Sequence, residues 1–177
     1  LDEGTRLQVF TDIFDDSQWL ISLVENLLSV TRIEEGRMNF NMSVQLMDEV
    51  IDEALKHINR KGVEHNITIE CEDGLLLARM DAKLIIQVII NLVDNAIKYT
   101  PIGSDIKITS ENKNAYVSVS VTDNGKGIPD HMKPRIFEMF YTGDNKIADS
   151  RRSLGLGLAL CKSIIHAHGG DIILTDN

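Results

Sequence analysis

The chain has 177 residues, 43% hydrophobic and 25% charged, enough for one packed domain and a further element. Its net charge of -9 argues against general nucleic-acid binding. No apolar run reaches the ~18 residues that span a bilayer, and no signal-peptide pattern opens the chain. The first residue is Leu, which suggests a piece of a longer protein, and membrane segments elsewhere in such a parent would not be visible here. The charge is uneven: residues 1–80 hold 16 acids and 7 bases, residues 81–177 hold 11 of each, so an acidic ligand is met more easily in the second part. Cys71 and Cys161 stand far apart in no ligand-like spacing and are read as free thiols.

In chain order, Arg6 to Glu35 forms one long amphipathic pattern, with Ile13, Leu20 and Leu27 in one seven-residue row and Phe10, Ser17, Val24 and Thr31 in a second. Gly36 supplies the stop. A helix of this kind needs a partner for its stripe, and no second long helix follows, so the partner lies outside this chain or in another copy. A second helix is expected from Ser43 as N-cap to near Gly62, with Val44, Met47, Val50, Ile51, Leu55 and Ile58 on its apolar face. Asn66–Glu70 alternates as a strand and Leu75–Met80 reads as another. Asp81 then caps a helix running to Tyr99. Ile106–Thr109 and Tyr116–Thr122 read as a hairpin turning at Asn112–Asn114. Residues 141–154 lack periodicity and read as a loop. Gly155–His168 is helical in pattern, and Asp171–Thr175 is expected to be a last strand. Irregular interleaving of helices and strands argues for an α+β fold, a mixed sheet with helices on one face.

The stretch NLVDNAIKYTP, Asn91 to Pro101, is unusual for a buried helix, because Asn competes for the backbone. Spacings of four and three put Asn91, Asn95 and Lys98 on one face, away from Ile89, Leu92 and Ala96. That face is either a solvated stripe or a site: amide oxygens suit a hard cation such as Mg2+, a lysine suits phosphate, and Tyr99 could stack on a base. VTDNGKGIPD, Val121 to Asp130, follows a strand. It reads as a tight hairpin or as a turn whose Gly125 and Gly127 let backbone approach a ligand, with Asp123 able to accept from an amino group. SLGLGLALCKSIIHAHGG, Ser153 to Gly170, opens a helix on glycines, for close packing or for phosphate at bare N–H groups. It is no Walker motif. KPRIFEMFY supplies Phe137 and Phe140, as core anchors or ligand contacts. His57, His65, His131, His166 and His168 stand in no metal-ligand spacing and are read as structural.

These signals stand in one order: an Asn-rich helix, a DxGxG turn after a strand, an aromatic pair, and a GLGL helix start. Together they resemble the N, G1, F and G2 boxes of sensor histidine kinases, within the wider clan of gyrase-like, chaperone-like and mismatch-repair ATPases. The resemblance covers nearly the whole chain. It implies that residues 1–38 are the second helix of a dimerisation hairpin, and that residues 39–177 are a catalytic ATP-binding domain of the Bergerat-type α/β sandwich, usually continued by one more C-terminal strand. The phrasing LVENLLSVTRIEEG is similar to that of the osmosensitive potassium-sensing branch, which implies potassium or osmotic sensing.

By motif match, the resemblance implies Mg2+ at Asn95 with Asn91 beside it, phosphate at Lys98 and adenine flanked by Tyr99. Asp123 would meet the adenine amino group, with Gly125, Gly127, Ile128 and Phe140 shaping the pocket. Leu154, Gly155, Leu156 and Gly157 would admit the phosphates under a lid of residues 141–154. Arg151 and Arg152 are further candidates for phosphate, as a basic pair beside that helix start. Thr142 stands where the family usually has Arg, and Ser153-Leu154 where it often has Gly-Thr. The family's phosphoacceptor histidine box has no counterpart, so the chain is expected to bind Mg-ATP without phosphorylating itself. The implied chemistry is γ-phosphoryl transfer to a histidine outside the chain. The implied partners are a second copy in the intact kinase and a response regulator, with this part cytoplasmic, free of membrane contact, in a membrane-anchored parent. An ATP-hydrolysing clamp of the same clan is the enzymatic rival. It carries Glu where this chain has Asn91. A non-catalytic interaction module is the other.

Overall fold

Helix α1 runs Glu3–Glu34 and starts three residues earlier than its periodicity predicts, because Asp2 caps it by accepting the Thr5 N–H at 2.6 Å. Glu3 and Arg32 lie at the ends that suit the helix dipole. Gly36, at φ +64, ends it: Gly36 N–H donates to the Ile33 carbonyl and Arg37 N–H to that of Arg32, the paired bonds of a Schellman stop. The structure is a computed structural model and describes residues 2–58, 64–72, 74–142 and 155–176.

The expected second helix is corrected at its start. Ser43–Leu46 is a strand, β1, and α2 runs Met47–Ile58. Ser43 does not cap: its hydroxyl accepts from Gln45 Nε2 at 2.7 Å, and Ser-Val-Gln-Leu alternates against a partner strand. Val44 therefore leaves the helix face and is exposed. Met47, Val50, Ile51, Ala54 and Ile58, at helical spacing, are buried, and Asp48 and Glu49 occupy the first turn. Residues 59–63, to which the helix was expected to extend, lie outside the described residues.

Strand β2 is Asn66–Cys71 and β3 is Leu77–Met80, two residues shorter than expected because the Leu76 carbonyl is taken by the Met47 N–H. Helix α3 runs Ala82–Tyr99 and turns Leu84, Ile85, Val88, Ile89, Val93 and Ala96 into the core. Strands β4, Asp105–Asn112, and β5, Val117–Asp123, form the hairpin, with Asn114 at φ 63 in its turn and its N–H on Asn112 Oδ1. The strands pair in two pieces: β1 pairs antiparallel with β3, while in the mixed sheet β2 pairs parallel and β5 antiparallel with the central β4. Ile106, Ile108 and Ser110 alternate inward from β4 toward the helices, and Lys107 points outward to Glu70 at 2.6 Å.

After a 3-10 turn at Lys133–Arg135, helix α4 runs Gly157–Ala167, two residues later than expected, because Gly155 sits at φ +65. It closes on Gly169 with the same paired bonds as α1. The expected strand over Asp171–Thr175 does not form: among the described residues this segment pairs with no strand, and Ile173 is exposed, although Ile172 packs on the core.

One network ties the start of α3, the end of α4 and the chain leaving α1. Asp81 caps α3 through the Leu84 N–H and accepts the Asn41 N–H at 2.9 Å. Its own N–H donates to His168 Nε2 at 3.0 Å, while His168 Nδ1 faces the Ile164 carbonyl at 2.8 Å. Phe40 meets the His168 ring edge-on at 5.6 Å. His168 thus joins the end of α4 to the start of α3 and to Phe40.

Candidate active-site cleft

The α3 and α4 helices pack together and leave a cleft on the side that carries Asn91, Asn95 and Lys98. The three side chains share one face of α3 because of their spacing, while Ile89, Val93 and Ala96 anchor the opposite face. Strand β5 brings Asp123 to the same cleft. The Gly125 N–H folds back onto Asp123 Oδ1 at 2.9 Å, which makes a turn in place of the tight hairpin that Asn-Gly would favour. A Cβ at Gly125 would come within 2.7 Å of that carboxylate and 2.8 Å of Thr100 Cγ2, so the turn requires glycine. Gly127, at φ +69, and Ile128 continue the wall.

Across the cleft, Gly155, Leu156 and Gly157 lead into α4. The Gly155 carbonyl accepts the Phe140 N–H at 3.1 Å, and a Cβ on Gly155 would collide with the Tyr141 backbone, so both conformation and space demand glycine there. Helix α4 opens beside the cleft with no side-chain cap and no acid in its first turn, which leaves its first N–H groups without a side-chain acceptor among the described residues. Gly157 lies against Asn91, whose Oδ1 would be 3.7 Å from an added Cβ. Lys98 Nζ stands 5.5 Å from the centre of the half-exposed Tyr99 ring.

The structure therefore brings Asn91, Asn95, Lys98, Tyr99, Asp123, Gly125, Gly127, Ile128, Gly155, Leu156 and Gly157 to one cavity. Phe140 is not on its wall. It sits at φ 64 and is exposed, neither core anchor nor lining, and Phe137 and Tyr141 line the cavity instead. Arg151, Arg152 and Leu154, with the rest of the expected lid from 143 to 154, lie outside the described residues. Sequence reasoning missed Thr100, whose hydroxyl donates to the Ala96 carbonyl at 2.7 Å while its methyl supports Gly125. It also missed the α1 residues Gln18, Trp19 and Asn26 on the cavity rim, where Asn26 Oδ1 accepts from Gln87 Nε2 at 3.2 Å. The spacing of seven from Trp19 to Asn26 was legible, but only packing distinguishes this stripe from the one next to it.

The donor set suits a metal–polyphosphate ligand. Two amide side chains supply hard oxygens, one lysine and an uncapped helix start suit anions, and no cluster of three or more His, Cys, Asp or Glu able to hold a bare metal exists among the described residues. Such a site holds a hard cation best when phosphate oxygens complete its shell.

The layered α+β body with its Asn-bearing helix, DxGxG turn and glycine helix start is that of an ATP-binding fold. Residues 80–177 match the family model described as histidine kinase-, DNA gyrase B- and HSP90-like ATPase, and the chain belongs to this family. It is 43% identical over 97% of its length to the sensor protein KdpD of Clostridium acetobutylicum, covering 19% of that protein. Among solved structures, it resembles histidine kinase ThkA in complex with the response regulator protein TrrA, at 30% identity and TM-score 0.69, covering 96% of this chain and 47% of that one. Full-length ShkA in complex with AMPPNP shares the fold at TM-score 0.78 and 23% identity, covering 96% of this chain and 35% of that one. The chain spans about a fifth of the length of the curated relatives it matches.

Proposed function

We propose that this chain is the catalytic portion of a sensor histidine kinase. It binds Mg-ATP in the α3–α4 cleft and delivers the γ-phosphoryl group to a histidine outside this chain. The observation that carries this reading is the convergence of Asn91, Asn95, Lys98, Asp123 and the Gly155–Gly157 helix start on one cavity. Asn95 and Asn91 would hold Mg2+ through their amide oxygens, and the metal would neutralise charge on the phosphates. Asp123, placed by the Gly125 turn, selects adenine through its amino group. Lys98 and the first N–H groups of α4 take the phosphates. Positioning and charge neutralisation carry most of such a transfer. ShkA's complex with AMPPNP supports the nucleotide, and the ThkA–TrrA complex supports a response regulator as the phosphoryl acceptor downstream. Similarity to KdpD supports potassium or osmotic sensing by the whole protein. Residues 1–38 act as the second helix of the dimerisation hairpin, so the intact kinase works as a homodimer, with this part cytoplasmic beneath a membrane anchor.

The test is a titration of the chain with ATP, with and without Mg2+, beside Asp123→Ala and Asn95→Ala. Asp123→Ala is expected to abolish binding and Asn95→Ala to remove the Mg2+ dependence. A phosphoryl group from labelled ATP should appear on a separately supplied histidine hairpin. Steady release of free phosphate with no such transfer would favour a clamp-type ATPase instead. Binding unchanged in both variants would overturn the cleft as the site.

A further inference from the structure

Thr100 is the residue at which α3 ends, and nothing in the proposed chemistry uses it. It lies behind the wall of the cleft, in a smaller hollow that it lines with Pro101, Ser104 and Asn124, and Gly125 borders both spaces. Its backbone has left the helix, at φ -111 and ψ 152, the extended conformation that a following proline favours. Its side chain still reaches back: the hydroxyl donates to the Ala96 carbonyl at 2.7 Å. With the oxygen committed there, the other branch on Cβ is fixed too. The methyl stands against Gly125, 2.8 Å from where a Cβ on that glycine would be. A methyl from the end of α3 thus fills the place of the side chain that Gly125 lacks.

We infer that Thr100 is a positioning residue for the Asp123 carboxylate, acting through Gly125, and so sets how sharply the cleft tells adenine from other bases. The turn that holds this carboxylate is pinned at two of its residues by β4. Asp123 ends β5 in register with Ile106. Asn124 is tied to Asp105: its N–H donates to the Asp105 carbonyl at 3.2 Å, its Oδ1 accepts the Asp105 N–H at 3.0 Å, and its Nδ2 donates to Asp105 Oδ2 at 3.2 Å. The freedom that remains lies at Gly125, the residue type with the widest range of φ and ψ. Gly125 is also the residue whose N–H holds Asp123 Oδ1 at 2.9 Å. If its backbone rotates, that bond is lost and the carboxylate is free to turn. The Thr100 methyl blocks that rotation from outside the cleft. One residue thereby couples the helix end that carries Asn95 and Lys98 to the group that reads the base.

This inference rests on the reading of Asp123 as the group that meets the adenine amino group. It is tested on this chain in Thr100→Ser and Thr100→Val. The probes are ATP and inosine triphosphate, which carries oxygen in place of that amino group, each with and without Mg2+. Thr100→Ser keeps the hydroxyl and loses the methyl. Its preference for ATP over inosine triphosphate should fall about tenfold, part of the roughly hundredfold that a misplacement of about 1 Å costs. Its affinity for inosine triphosphate and its gain on adding Mg2+ should stay within about twofold of wild type, because α3 itself is unchanged. Thr100→Val keeps the methyl and loses the donor. It should unfold at a lower temperature and still hold the wild-type preference within about twofold. Without nucleotide, the Gly125 amide should exchange faster with solvent in Thr100→Ser and not in Thr100→Val. Base preference and stability then fall in different variants, which a merely structural role does not allow. A Thr100→Ser variant that keeps the wild-type preference, or weakens alike for both nucleotides, overturns the inference, and leaves the cleft intact provided that Asp123→Ala abolishes ATP binding. A Thr100→Val variant that loses as much preference as Thr100→Ser overturns it as well, since the methyl is then not the carrier. If Asp123→Ala binds ATP as wild type does, the cleft reading falls and the inference with it. Should Thr100→Val not fold, the preference of Thr100→Ser decides alone.

Discussion

Helices α1 and α3 are both apolar, both capped by aspartate, and differ in what their apolar residues touch. In α3, Leu84, Ile85, Val88, Ile89, Val93 and Ala96 are buried by α2, α4 and the sheet. In α1, 32 residues long, Val30 alone is buried. Its partly covered residues, Asp15, Trp19, Leu23, Asn26, Ser29 and Ile33, form one stripe, with Val30 and Ile33 on the core and Asn26 bonded to α3. Phe10, Ile13, Leu20, Val24 and Leu27 lie on the opposite side and are exposed. The contrast teaches that a heptad stripe reports a helix with something to bury, while the partner that buries it is a separate fact. The stripe that sequence periodicity picks out most strongly in α1 is the one this chain leaves open. The stripe that holds α1 to the rest of the described chain is mixed in character and quiet in the sequence.

The largest effect that would sharpen this comparison comes from truncation. Ile89→Ala, at 1% exposure, should cost ~2–5 kcal/mol of stability, while Ile13→Ala, at 57%, should change it by less than ~0.5 kcal/mol. Urea denaturation of dilute protein measures both. A cost for Ile13→Ala that grows with protein concentration would break the comparison, since it would mean that a second copy covers the α1 seam. Next in size is Asp81→Ala, which removes a helix cap and the anchor of the chain leaving α1 together. About 1–2 kcal/mol is expected from the cap alone, with faster hydrogen exchange at the Asn41 amide, which donates to Asp81 Oδ2. Unchanged exchange at Asn41 would show that α1 is held to the body by the Val30 contact and not by this network.

The smallest effect is electrostatic and concerns only the body. Lys133 Nζ lies 2.6 Å from Asp130 and 2.7 Å from Asp176, holding the terminal segment to the turn after β5. The hydrogen bond that Lys133 donates to it holds the Asp130 carboxyl below its ordinary value, and donating to Asp130 and Asp176 raises the lysine. A lowered acid contributes stability above its unfolded pKa of 3.8 and loses it as pH falls through the folded value. A raised lysine contributes below 10.5 and loses it as pH rises through its folded value. The Tm difference between wild type and Lys133→Met should therefore be small and flat at neutral pH and vanish toward both extremes. Because these groups are exposed, added salt should shrink it further. A difference that persists below pH 3 would point to packing of the lysine stem instead.

Much of the candidate site was legible because its chemistry is local. Asn91, Asn95 and Lys98 share a face by helical spacing alone, Gly125 and Gly127 mark a turn, and Asp81 announces a cap. What was not legible depends on groups far apart in the chain. Ser43 looked like a cap, but Leu77–Met80 recruits Ser43–Leu46 into a ladder, and the better backbone partner wins. Phe140 looked like lining, but its N–H is held by the Gly155 carbonyl in a left-handed turn that sets its ring outside the cavity.

The sequence by itself determined that α1, α3 and α4 are helices, the Asp81 cap, the Gly36 and Gly169 stops, and the residue types on the faces of α3, because those follow from spacing and from bonds within a few residues. Tertiary structure alone decided which α1 stripe is covered, which strands pair, and that the buried Cys161 thiol of α4 meets the Val88 carbonyl of α3. Residues 73 positions apart meet only when two helices pack, and no local pattern carries the orientation of that packing.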